Sequence, residues 1–145
     1  MTLLDRHDFS IPGIEKEFTE GEKRKSASPK KRLEVWAKSK GRCWYCGFEL
    51  PEKGWHVDHF KPLGGGGKFE TIIKDRLNDI ENLVPSCAGC NLFKSVYTVE
   101  GFREKIEHQR EQVRKYSTGF RIAERMGIIE VKPDPVVFWF ERKNN

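Results

Sequence analysis

The sequence predicts an α+β domain stapled by a metal, and three observations carry that expectation. All four cysteines fall into two CxxC pairs, Cys43/Cys46 and Cys87/Cys90. Between the pairs lie short strand-like runs broken by turn residues, Pro51–Gly54 above all. After the second pair, apolar residues recur at helical spacing, with Phe102, Ile106, Val113 and Tyr116 on one side. Hydrophobic residues are 37% of the 145 and charged ones 34%, a modest core for one domain, so a staple has a structural task to perform.

The elements follow in order. Residues 1–28 are rich in Glu, Lys and Ser without sustained periodicity and are expected to form a basic, flexible arm. Ser28-Pro29 reads as an N-cap followed by proline at the first helical position. With Leu33, Trp36 and Ala37 at helical spacing and Gly41 as C-terminal cap, a helix is predicted over about 29–40. Cys43–Cys46 should be a tight turn. Phe48–Leu50 is then expected as a strand, Pro51–Gly54 as a hairpin turn, and Trp55–His59 as the returning strand. Trp36, Trp44 and Trp55 are expected to pack around that hairpin.

The glycine run Gly64–Gly67 must be a loop, and 68–79 allows a helical turn or two inside a long insertion. Helices should start near Asn91, run from about Glu100 to Tyr116, and run again over Phe120–Met126, stopped by Gly127. Ile128–Lys143 reads as a β-hairpin turning at Pro133-Asp134-Pro135. The organisation expected is an arm (1–28), a stapled core (29–97), and a C-terminal segment of helices plus a β-hairpin packed on it (98–145).

Net charge is +5, and the basic residues cluster from Lys23 to Arg42, directly before the first cysteine pair. This suits a polyanionic partner, although a solvated helix face would look the same. No apolar run approaches a membrane span, and the first residues lack the apolar stretch of a signal peptide. A cytoplasmic protein is expected, with its thiols reduced unless a metal holds them.

Two residues between cysteines let one tight turn aim both sulfurs at a single ion, and two such knuckles complete a tetrahedral thiolate site. Disulfides would need an oxidising compartment, and a redox CxxC would not come as a matched pair. Structural zinc at Cys43, Cys46, Cys87 and Cys90 is therefore expected. A closed four-thiolate site has no open position, so any chemistry must lie elsewhere.

That chemistry is sought in HVDHFKPL (56–63) and ENLVPSCAGCN (81–91). Asp58-His59 sets a hard oxygen ligand beside an imidazole that accepts a proton near neutral pH. Alone, the dipeptide could equally be a surface turn. In the order CxxC…DH…N…CxxC-N, the segment from about Arg32 to Lys94 resembles the HNH, or ββα-metal (His-Me finger), endonuclease superfamily. The zinc-stapled layout is the one shared by phage-type junction-resolving endonucleases and many McrA-like restriction nucleases.

The resemblance implies a ββα-metal core and a metal-dependent endonuclease acting on DNA, duplex or branched, leaving 5′-phosphate and 3′-hydroxyl ends. It assigns Asp58 as first ligand of Mg²⁺ or Mn²⁺, His59 as general base, Asn82 as the residue that braces the loop and orients the histidine, and Asn91 as second ligand. Asn91 stands where histidine is frequent, and an amide oxygen favours a hard cation. Lys30, Lys31, Arg32, Arg42, Lys61 and Lys94 are expected at backbone phosphates. The competing readings are a zinc-stapled nucleic-acid-binding module without cleavage, and a nuclease subunit active only with a partner protein; a homodimer is also compatible with the sequence.

Overall fold

The computed structural model describes residues 26–63 and 77–142. The expected arm up to residue 25, the glycine run Gly64–Gly67 and most of the 68–79 insertion lie outside them. Helix α1 (Pro29–Ala37) starts as anticipated, with Ser28 Oγ accepting from Lys31 N at 3.3 Å and proline in the first turn. It ends where Lys40 and Gly41 take positive φ, 53° and 80°. A side chain at Gly41 would put its Cβ 2.7 Å from the Trp36 ring.

The first cysteine pair follows on a narrow β-turn unit. Cys43 N donates to Phe48 O at 2.8 Å, Leu50 N to Gly41 O at 2.8 Å, and a single bridge joins Arg42 to Glu49. Strand β1 (His56–His59) does not pair with 48–50 as expected. It pairs antiparallel with β2 (Leu83–Ser86), His59 opposite Leu83 and Val57 opposite Pro85. The 48–50 segment is occupied with closing the cysteine turn, and β2 offers four buried residues in a row, which a short interior strand needs. Trp44 N donates to Pro85 O at 2.8 Å, fastening the cysteine turn to β2.

Helix α2 (Ala88–Lys94) springs from the second cysteine pair, with Cys87 as N-cap. Helices α3 (Val99–Tyr116) and α4 (Thr118–Arg125) follow, capped by Thr98 and Ser117. No described helix is long and apolar enough to cross a membrane. The result is a mixed α+β fold, a two-stranded antiparallel sheet with four helices among the described residues, in keeping with a ββα-metal core.

The C-terminal hairpin is not formed. Residues 128–138 run without strand pairing into a 3-10 turn at Trp139–Glu141. The backbone donors go elsewhere: Val136 N to Glu107 Oε1 at 2.8 Å, Trp139 N to Tyr45 O at 2.8 Å, and Phe140 N to Trp44 O at 3.2 Å. Pro133 and Pro135 have none to give. This docking buries Phe138 against Phe102 and Tyr45, with ring centroids 5.4 and 5.7 Å away. Each such ring contributes about 1.5–3 kcal/mol of burial, so the C-terminal segment, α3 and the first cysteine turn share one aromatic core with Val35, Leu50, Trp55, Leu83 and Val84.

Candidate active site and metal centre

The two cysteine turns converge. The four Sγ atoms lie within 4.8 Å of one another, Cys46 and Cys87 3.9 Å apart. A tetrahedral zinc with bonds of about 2.3 Å needs sulfurs about 3.8 Å apart, so the set fits zinc with only slight contraction. Without a cation the thiols cannot all ionise together. The Cys90 thiol, hydrogen-bonded to Cys43, pulls the Cys43 sulfur down to about 4 and is itself pushed far above the thiol range. Gly47, at φ 75°, closes the first turn with its N–H on Cys43 O at 2.9 Å. A Cβ there would meet Trp139 Cδ1 at 2.4 Å, so this position admits only glycine.

Asp58, His59 and Asn91 line one cleft of about 500 Å³, walled by Pro62, Leu63, Leu92, Ser95 and Val96. β1 supplies the first two and α2 the third, one turn before Lys94. Asp58 is buried, and two groups hold the same oxygen: Tyr45 Oη donates to Oδ2 at 2.6 Å, and Lys94 Nζ lies 3.2 Å from it. Burial, and then the Asp58 charge, push the Tyr45 phenol well above its ordinary range, so it stays protonated and donates. Oδ1 has no partner among the described residues, and neither has the Asn91 amide.

Lys94, expected at a phosphate, is fully buried instead. Its ammonium also donates to His59 O at 2.9 Å, tying α2 to β1. A charge this deep stays only when it is paired, and Asp58 is that pair.

The His59 ring meets Asn78 Oδ1 with Nε2 at 2.9 Å. An amide oxygen accepts only, so Nε2 is the donor in this contact, and Nδ1 has no hydrogen bond among the described residues. Asn82, expected to orient the histidine, touches the loop rather than the ring. Its Oδ1 accepts from Lys61 N at 2.8 Å, and its Nδ2 donates to Lys61 O at 3.0 Å and Leu77 O at 2.8 Å. Asn82 braces the chain just after His59, and Asn78 holds the ring.

Sequence reading missed Asn78, Tyr45 and Ser95. An asparagine in an insertion and a tyrosine inside a CxxC carry no spacing signal. Ser95 takes φ 50° on the cleft wall, a conformation no motif announces.

The basic cluster divides. Lys31 Nζ donates to Asn78 O at 2.5 Å, and Arg32 lies over the Trp55 ring at 4.1 Å while donating to Trp55 O at 3.1 Å. These two are clamps between α1 and the site loops. Lys30 and Lys61 are exposed with no side-chain partner among the described residues, and exposed Arg42 uses its guanidinium on Gly47 O at 3.0 Å.

Residues 43–96 match the family model described as HNH endonuclease. No curated protein and no solved structure gives a significant match. The matched span begins at Cys43, ends two residues beyond Lys94, and includes both cysteine turns, β1, β2 and α2. Over residues 43–96 the chain is therefore similar to the HNH endonuclease family, and within that span four cysteines are positioned to form a zinc site.

Proposed function

We propose that the protein is a metal-dependent endonuclease that hydrolyses DNA phosphodiester bonds, with His59 as general base. The observation that carries this is the shared cleft. His59, whose Nδ1 has no partner among the described residues, lines the same cleft as Asp58, whose Oδ1 has none there, and Asn91, whose amide has none there.

In this reading His59 Nδ1 takes a proton from a water, whose oxygen attacks phosphorus. The P–O3′ bond breaks, the leaving O3′ takes a proton from solvent water, and the products are a 5′-phosphate and a 3′-hydroxyl. Asp58 Oδ1 and the Asn91 amide oxygen are the hard donors that would hold Mg²⁺ or Mn²⁺. When bound, the cation supplies charge neutralisation at the phosphate and the leaving oxygen.

Tyr45 and Lys94 hold Asp58 through Oδ2, which turns one oxygen outward. Asn78 fixes the tautomer of His59, and Asn82 fixes the backbone behind it. The zinc site has only a scaffolding role, joining the turn that carries Tyr45 to the helix that carries Asn91. Lys30, Arg42 and Lys61 are the cations left for backbone phosphates.

The test is conversion of supercoiled plasmid with Mg²⁺ or Mn²⁺ by the native chain and by His59→Ala. Cleavage by the native chain, lost in the variant, is the expected result. Plasmid binding without cleavage in either metal would instead favour a binding module or a subunit that needs a partner.

A further inference from the structure

A second cleft, of about 320 Å³, shares no lining residue with the Asp58 cleft. Its aromatic part is Trp44, Trp139 and Phe140. Trp44 stacks on Phe140 with centroids 5.8 Å apart and planes 8° apart, and it meets Trp139 edge-on at 6.0 Å. Its cationic part is Lys38, Lys40 and Arg42, and no carboxylate lines it. The Trp44 indole N–H is buried without a hydrogen-bond partner among the described residues.

Lys40 is the informative residue. It holds φ 53° just past the end of α1, where glycine or asparagine is the unstrained choice. No hydrogen bond or ion pair of the side chain repays this: the residue is exposed, and its ammonium has no polar partner among the described residues. Lys38, by contrast, is tied to Ile80 O and Leu83 O. A strained position kept for a free cation at the mouth of an aromatic cleft points to a ligand.

We propose that this cleft binds one nucleotide of a single-stranded nucleic acid, its base against the Trp44–Trp139–Phe140 cluster and its phosphate on Lys40 and Arg42. Aromatic faces accept any base, and the neighbouring cations follow the backbone. Trp44 is bonded to β2, whose partner is β1, so its main chain lies about two strand spacings, roughly 10 Å, from Asp58. A strand held here therefore passes within a few nucleotides of the proposed cleavage cleft, yet the binding stands apart from cleavage.

The experiment titrates the full zinc-loaded chain, without added Mg²⁺, with a short oligothymidylate and with an abasic oligomer of equal length. Tryptophan fluorescence and anisotropy are both recorded. The expected result is quenching by oligothymidylate and binding at least about fivefold tighter than the abasic strand. Lys40→Asn should lower the salt slope by about one while raising Tm by about 3 °C, because the strained position is relieved. Lys40→Arg should bind as the native chain does.

Equal binding of the two oligomers, or Lys40→Asn binding with an unchanged salt slope, would overturn the proposal. Loss of binding in His59→Ala with Lys40→Asn intact would also overturn it, by moving the strand to the Asp58 cleft. An uncleaved plasmid with Lys40-dependent binding would sink the nuclease reading and leave this one standing.

Discussion

Replacing Lys94 by methionine keeps most of the buried stem and removes the ammonium from Asp58. At 3.2 Å and an effective dielectric constant of about 20, the lost attraction is about 5 kcal/mol. Breaking a buried pair from one side costs about 3–5 kcal/mol when the other charge stays behind. Asp58 keeps the Tyr45 hydrogen bond, which places the expected loss at the lower end, about 3 kcal/mol. Asp58→Asn removes the other charge. If the pair acts as described, the double variant should lose less than the sum of the two singles, with a coupling of about 2 kcal/mol. Urea unfolding of zinc-saturated protein measures all four chains of the cycle. Losses that add to within about 0.5 kcal/mol would show that Lys94 and Asp58 do not depend on each other, and the positioning of Asp58 through Oδ2 would be wrong.

Three further outcomes follow from other contacts. Asn78→Ala should reduce the cleavage rate by at least about tenfold with little change in stability, because among the described residues the exposed amide holds only the His59 ring; single-turnover rates beside a melting curve check this. Gly47→Ala should cost about 2–4 kcal/mol, since the residue combines a left-handed backbone with a Cβ 2.4 Å from Trp139; near-ultraviolet circular dichroism should show Trp139 displaced. The Arg103 guanidinium holds the Glu141 carboxyl below its ordinary 4.5, so its contribution is complete above pH 4.5 and fades as pH falls through the lowered value. Undocking of the C-terminal turn, followed by Trp139 fluorescence in acid, should therefore be flattened in Glu141→Gln.

Local signals survived folding and long-range ones did not. The cysteine turns, the Ser28 cap, α3 and the stop at Gly127 depend on neighbours within a few residues, so spacing announces them. The partner of β1 depends on a segment over twenty residues away whose Pro85 argues against a strand. Lys94 reads as a surface lysine until Asp58 is known to lie beneath it. The C-terminal alternation of Val136, Phe138 and Phe140 does mark a face that packs on the core. Its main chain, however, bonds to Trp44, Tyr45 and Glu107, which no local pattern announces. At the candidate site the sequence names Asp58, His59, Asn82 and Asn91 but cannot reveal that Asn78, reached across the insertion, touches the histidine.

In the proposed function a zinc holds the scaffold and a separate, cation-dependent cleft cleaves. The most direct test of this is single-turnover cleavage of a labelled DNA strand in Mg²⁺ by the native chain, His59→Ala and Asp58→Asn, with zinc content measured on the same samples. The account predicts cleavage by the native chain, a loss of at least about a hundredfold in both variants, and zinc unchanged at one ion per chain. Variants that cleave at the native rate, or that lose zinc together with activity, would contradict it.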